Sequence, residues 1–275
     1  MAGRGVPHRR ARAVAAAVAA AAAIVTAAAA GTTAAADLPS GAWEFFGPRG
    51  PAFWGAVSPT CATGLAQSPI DVVATAPAGP LSLQSVATQD DGAELRAEGA
   101  RNGVRLACAS PGACGVAVWA GYTYDLVRVH LHGAKEHTMG GEVFPAELQL
   151  VHQADDGNSL VVAIHLRVGA ANEGLEKLLA ASAAGAPANA TATLSEADWA
   201  ALVPAEDGWC QYGGSLTAPP CTEGVTWAIA STPRSASEEQ LRRLGAAILD
   251  AGAVVLTKRP VQPLNGRRVT CYSAE

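Results

Sequence analysis

Five short runs rich in β-branched, aromatic and aliphatic residues constrain this chain most: Tyr122 to His132, Ala146 to His152, Leu160 to Val168, Val225 to Ala230 and Val254 to Leu256. Each has strand length, and Asp-Gly, Gly-Gly and Pro-rich pairs punctuate the chain between them. A sequence divided in this way pairs short strands rather than building long helices. Two segments read as helical. Ser237-Glu238-Glu239-Gln240 is a capping box followed by Leu241, Leu244 and Ile248 on one face. Ser195-Glu196-Ala197-Asp198 opens a shorter one. With 49% hydrophobic residues and only 16% charged, the chain has the apolar content for a sizeable core and does not look disordered. The expected fold class is mostly β, with a few short surface helices. Past residue 37 there is no linker long enough to divide domains and no repeat.

The first 36 residues stand apart. Arg4, Arg9, Arg10 and Arg12 make a basic start, an Ala/Val/Ile run follows from Ala13 to Ala30, and Ala34, Ala35 and Ala36 offer a cleavage site before Asp37. This is the layout of a secretory signal peptide over residues 1–36, leaving one domain over 37–275. The run is also about long enough to span a bilayer, although alanine makes a weak membrane helix. A twin-arginine or thylakoid-lumen signal using Arg9 and Arg10 is a further alternative. The expectation is an exported protein (extracellular, periplasmic or in an organelle lumen) with no membrane span in its mature form. Loss of four arginines and no acids would take the formal charge from −5 to about −9. Such an acidic surface argues against nucleic acid or an anionic membrane as a partner. It does not name a protein partner.

Six cysteines fit export, because an even count in a secreted chain suggests disulfides. The sequence leaves fifteen pairings open. Cys108 and Cys114 flank Ala-Ser-Pro-Gly-Ala, a tight loop that a bridge can close. No Cys-x-x-Cys occurs, which argues against a thiolate zinc knuckle. Asn189-Ala190-Thr191 is a glycosylation sequon in an Ala/Gly/Pro-rich stretch, expected to be a surface loop, and its use depends on the secretory route.

His130-Leu131-His132 lies inside a β-prone run, so both imidazoles point to one face and can converge on a metal ion. Other strings follow in order: Glu136-His137-Thr138, then Pro145-Ala146-Glu147-Leu148-Gln149-Leu150-Val151-His152, then Gly214-Ser215-Leu216-Thr217-Ala218-Pro219-Pro220-Cys221-Thr222-Glu223 and Val225-Thr226-Trp227. Gln67-Ser68-Pro69-Ile70-Asp71 precedes them, and Arg259-Pro260-Val261-Gln262-Pro263-Leu264-Asn265-Gly266-Arg267 closes the set. Together with Trp43, Gly50-Pro51 and Trp54, these motifs in register resemble the α-carbonic anhydrase family from about Trp43 to about Val269. The short stretch between His132 and Glu136 is more similar to bacterial, plant and algal members than to animal ones. The resemblance implies a large, mainly antiparallel, twisted central sheet with the site in a conical cleft.

It also implies a zinc site. Family members hold Zn²⁺ with three histidines and leave a fourth position for water, whose pKa falls to about 7 so that it attacks CO₂ to give bicarbonate. His130 and His132 match the first two ligands, and Gln149 stands at the third. Glu147 matches the residue that hydrogen-bonds the third ligand from behind, so its carboxylate is expected to accept from the Gln149 NH₂ and turn the amide oxygen toward the metal. Thr217 matches the threonine that orients the nucleophile, and Glu136 the carboxylate that accepts the threonine hydroxyl. Val151, Val161, Leu216 and Trp227 match the apolar wall where CO₂ rests. Cys61 and Cys221 match the bridge that fixes the threonine loop in secreted members, which leaves Cys210 and Cys271 to pair. His137 matches a supporting residue. His152, three residues from Gln149, is expected to face away, and His165 to be a buried, hydrogen-bonded core histidine.

Several positions depart from the family. Gln149 is a neutral but harder and weaker donor than imidazole, so zinc affinity is expected to be lowered. Arg128 replaces the amide that orients His130; a cation cannot accept the imidazole N–H, and it repels zinc. Val104 stands where fast members carry a proton-shuttle histidine, and Phe45 replaces a tyrosine that orders cleft waters. Two functions follow from the resemblance: a zinc lyase hydrating CO₂ at reduced rate, or a non-catalytic relative acting as a binding, storage or matrix protein.

Overall fold

The computed structural model describes residues 43–272 except 75, 79–83, 88–91, 99–102, 134–135, 184–185, 188, 205–207 and 251–257. The expected signal peptide over 1–36 and the run from Val254 to Leu256 lie outside the described residues. The strands are β1 Asp71–Val72, β2 Ala76–Ala78, β3 Gln84–Ala87, β4 Ala93–Glu98, β5 Val104–Cys108, β6 Gly115–Trp119, β7 Tyr122–His132 and β8 Thr138–Met139. They continue with β9 Ala146–Gln153, β10 Ser159–Val168, β11 Thr191–Leu194, β12 Trp209–Ser215, β13 Glu223–Ala230, β14 Arg234–Ala236 and β15 Thr270–Tyr272. The α-helices are α1 Thr60–Thr63, α2 Glu173–Ala181, α3 Glu196–Leu202 and α4 Glu238–Asp250.

Most strands join one large sheet whose spine runs β11-β4-β5-β7-β9-β10-β13-β12-β15-β2. Its pairings are mainly antiparallel; β10 with β13, β10 with β14 and β15 with β2 are parallel. The mostly β expectation is met. β6 turns into β7 through Ala120 (φ 50°) and Gly121 (φ 83°). Two positive-φ residues between strands match the twist of a tight hairpin, and glycine reaches that region without strain.

β9 and β10 sit at the centre and are buried along nearly their whole length, so their hydrophobic runs are continuous rather than alternating. The sheet has a core on each face. The larger contains Leu106, Leu131, Leu148, Ile164 and Trp209, and the helices pack onto it. The smaller gathers Ile70, Val161, Tyr212, Val225, Trp227 and Ile229.

Both expected helices form, each with its box. In α4 the Ser237 N–H donates to Gln240 Oε1 at 3.1 Å and the Gln240 N–H to Ser237 Oγ at 3.2 Å. In α3 Ser195 and Asp198 close the same arrangement. The sequence reading passed over α2. It is capped by Asn172, whose side chain accepts from the Leu175 N–H at 3.0 Å, and it buries Leu175, Leu178 and Leu179. Its Asn cap and i, i+3, i+4 leucines were the available signal.

Candidate metal centre

The register of β7 against β9 decides which side chains meet. His130 pairs with Gln149 and His132 with Glu147, and Arg128 pairs with Val151 beside an irregularity between Leu126 and Arg128. Directly paired residues share a face of the sheet. On the next strand, β10, Ala163 pairs with Gln149, Val161 with Val151 and His165 with Glu147. Trp227 of β13 then pairs with Val161. On the opposite flank Arg105 of β5 pairs with His130, and Ala107 with Arg128. One face thus carries a polar stripe on β5, β7 and β9 and an apolar wall on β10 and β13. Val161 and Trp227 are buried in the smaller core cluster, with Val151 and Leu216 packed against it.

The rings of His130 and His132 have centroids 6.1 Å apart. His130 Nε2 is buried with no hydrogen-bond partner among the described residues. Burial, then the charges of His132, Arg105 and Arg128, push the pKa of His130 well below the ordinary histidine range. The neutral imidazole so favoured is the form that ligates a metal. His132 is also buried, with Nδ1 4.0 Å from Glu136 Oε1.

Gln149 is buried. Its Nε2 donates to Glu147 Oε1 at 2.9 Å and to Glu136 Oε2 at 3.2 Å. An amide NH₂ has two protons, and each is aimed at a fully buried carboxylate, so the oxygen is the amide atom available to a metal. Glu147 also accepts from His137, through the backbone N–H at 2.8 Å and Nδ1 at 2.9 Å. Burial alone would raise the Glu147 pKa; the charge and hydrogen bond of His137, the charge of His165 and the Gln149 amide outweigh it and hold the carboxyl well below its usual range.

The polar network extends further. His137 Nε2 lies 2.6 Å from Tyr212 Oη, which lies 2.8 Å from Ser68 Oγ. Ser68 Oγ accepts from the Ser215 N–H at 2.9 Å, two residues before Thr217. Glycine is required at 214, because a Cβ there would lie 2.2 Å from Ser68 Oγ.

Thr217 is buried on the loop between β12 and β13. The Cys61–Cys221 bridge anchors that loop, together with a hydrogen bond of 2.8 Å from Ser58 Oγ to the Pro220 carbonyl. The expected link from Thr217 to Glu136 is not made: among the described residues no hydrogen bond joins them. Glu136 Oε2 accepts instead from Gln149, and Oε1 from the Arg259 backbone N–H at 3.4 Å. The second amide proton of Gln149 reaches Glu136 while the first stays on Glu147.

The other expected positions divide. Val104 is buried in the larger core; its neighbour Arg105 is the residue that pairs with His130, so Val104 points to the other face. His152 Nδ1 lies 2.9 Å from the Leu150 carbonyl oxygen, and burial takes its pKa down to about 4 against the support of backbone contacts to Leu150 and Leu160. His165 is fully buried, as expected, with its Nε2 3.7 Å from Glu147 Oε2, too far for a hydrogen bond to that carboxylate. Its ring lies against Phe144, centroids 4.3 Å apart. Phe45 packs edge-on against Trp43 and Trp54. Asn189 is exposed in the turn before β11. Cys108–Cys114 and Cys210–Cys271 are bridged as well.

The sequence reading gave Arg259 and Arg105 no role. Arg259 is 2% exposed and ties three segments together, donating to Gln67 Oε1 (2.8 Å), the Ser68 carbonyl (2.9 Å) and the Cys61 carbonyl (2.7 Å). Burial lowers its pKa to about 10, with Glu136 opposing. Its place in a matched motif was the only hint in the sequence. Among the described residues no three His, Cys, Asp or Glu side chains are grouped to hold a metal.

A family model for eukaryotic-type carbonic anhydrases matches residues 49–273. The chain belongs to that family. It is 33% identical over 232 residues to the carbonic anhydrase of Klebsiella pneumoniae, covering 82% of this chain and 89% of that one. The solved complex of the α-carbonic anhydrase from Thermovibrio ammonificans with the inhibitor sulfanilamide superposes with a TM-score of 0.69 at 31% identity, over 83% of this chain and 98% of that one. Dioscorin complexed with ascorbate superposes with a TM-score of 0.73 at 28% identity, over 85% and 98%. The carbonic anhydrase fold is therefore retained around a face where Gln149 pairs with the first histidine of the His-x-His strand. Among the described residues no helix is long and apolar enough to cross a membrane.

Proposed function

We propose that this member of the carbonic anhydrase family is an exported domain, residues 37–275, that binds zinc through His130, His132 and the Gln149 amide oxygen and hydrates CO₂ reversibly but slowly. The observation that carries the reading is the pair of hydrogen bonds from Gln149 Nε2 to Glu147 and Glu136, which leave the amide oxygen as the third donor. Three neutral donors suit the ion, and the buried, unpartnered His130 Nε2 is a lone pair in need of one. Zinc bound there supplies the charge that makes water a nucleophile near neutral pH.

The rest is done by the chain's own side chains. Val151, Val161, Leu216 and Trp227 exclude water from the place where CO₂ rests. Glu147 fixes the Gln149 amide. Thr217 orients the nucleophile, less well because among the described residues no hydrogen bond ties it to Glu136. β5 brings no histidine to the cleft, its Val104 being core, so buffer or water must move the proton. The affinity for zinc is lowered by the amide donor and by Arg128.

One observation favours a second reading, that of a non-catalytic binding protein. Among the described residues no hydrogen bond joins Thr217 to Glu136, so the hydroxyl lacks the acceptor that would set its direction; dioscorin, solved with ascorbate, is also among the structural neighbours. Stopped-flow CO₂ hydration by the mature domain, titrated with zinc and then with sulfanilamide, separates the two. A zinc-dependent rate above buffer background that sulfanilamide blocks supports the enzyme. A flat trace from folded, zinc-saturated protein leaves the binding reading.

A further inference from the structure

We propose that Arg105 and Arg128 form a cradle for a small planar oxyanion, a carboxylate or bicarbonate, on the cleft face beside His130. The register places them there. Arg105 is the cross-strand partner of His130, and Arg128 lies two residues before His130 on the same strand. Both therefore project from the face that carries His130 and Gln149, on adjacent strands and in the diagonal relation within reach of long side chains.

The surroundings leave Arg128 without a protein acceptor. Its partners on either side, Ala107 and Val151, have no group to hold a guanidinium. Among the described residues Arg128 makes no hydrogen bond or ion pair. The two buried acids nearby are already engaged, Glu147 by His137 and Gln149, and Glu136 by Gln149 and the Arg259 backbone. Arg105 has Glu98 at 3.8 Å from its Nε. Placing a half-buried cation where no acid answers it is unfavourable in the empty protein, and the planar guanidinium fork fits a carboxylate-type anion with two parallel hydrogen bonds. The cradle needs no metal, so it stands or falls separately from the zinc reading. For a CO₂ hydratase it would retain product bicarbonate; for a binding protein it would take an organic acid.

The test uses metal-free full domain, titrated with sodium bicarbonate and, separately, with sodium acetate, with sodium chloride as the ionic-strength control. Arginine Nε–H resonances are followed by NMR. The expected result is saturable perturbation of the Arg128 signal by bicarbonate, acetate or both, but not by chloride, and about tenfold weaker binding in Arg128→Gln. The stronger of the two anions identifies the source. Arg128→Lys, which keeps the charge and loses the fork, serves if the glutamine variant does not fold, and it too should bind more weakly. Arg242→Gln, on the exposed face of α4, should bind as the parent does. Equal responses to all three salts, or unchanged affinity in both Arg128 variants, would overturn the proposal.

Discussion

Gln149 Nε2 lies 3.2 Å from Glu136 Oε2 while holding Glu147 Oε1 at 2.9 Å, so a single amide bridges two buried carboxylates. A histidine at 149 has one far-side N–H and can serve only one of them. The substitution therefore changes two things at once, the metal donor and the partner of Glu136.

Gln149→His should release Glu136 to Thr217 and supply a third imidazole. Zinc affinity, read by chelator competition, is expected to rise by at least about tenfold, and CO₂ hydration by stopped flow should rise with it. Tighter zinc with no gain in rate would move the fault to Arg128 or the missing proton shuttle.

Glu147→Ala removes the acceptor for Gln149, for the His137 backbone and for the His137 ring. Truncating one partner of a buried, hydrogen-bonded charge costs about 3–5 kcal/mol, measurable by urea unfolding. Zinc affinity should fall as well, because the amide then keeps only its 3.2 Å bond to Glu136. Unchanged zinc affinity in the folded variant would show that Glu147 does not orient Gln149.

His152 sets a pH dependence. Its pKa is lowered by burial from the ordinary value to about 4, so the unfolded chain binds a proton that the folded one refuses. Its destabilising contribution is absent above about pH 6.5, grows as pH falls, and reaches about 3 kcal/mol near pH 4. Glu147 adds to the loss at lower pH, since its depressed pKa gives stability that is present above the unfolded value and disappears as pH falls through the folded one. In His152→Leu the stability between pH 7 and 5 should be flatter than in the parent; identical slopes would rule out His152 as the source.

The Cys61–Cys221 bridge spans 160 residues of sequence. Closing so long a loop restricts the unfolded chain, and replacing both cysteines by alanine is expected to cost about 3–5 kcal/mol. It should also loosen the Thr217 loop, seen as faster amide exchange from Leu216 to Thr222.

The sequence disclosed the fold through its strand runs, and the site's address through His130-Leu131-His132 and the motifs around it. Capping boxes at Ser195 and Ser237 were legible because the signal is local. The fate of Glu136 was not, since it depends on how far an amide at position 149 reaches across strands from 13 residues away. Arg105 escaped for a similar reason: only the β5–β7 register sets it opposite His130. His165 reads as an ordinary core position until its pairing with Glu147 is known. Val104 looked like a cleft position by motif alignment, and the strand's facing turned it into core.

The central claim is that Gln149 completes a zinc site with His130 and His132. Zinc K-edge X-ray absorption on the zinc-loaded domain, repeated on Gln149→Ala, tests it most directly. One tightly associated zinc with two imidazole nitrogens and oxygen donors, weakened in the alanine variant, is the expected result. Three imidazoles around the metal, or the same spectrum and affinity without Gln149, would contradict the account.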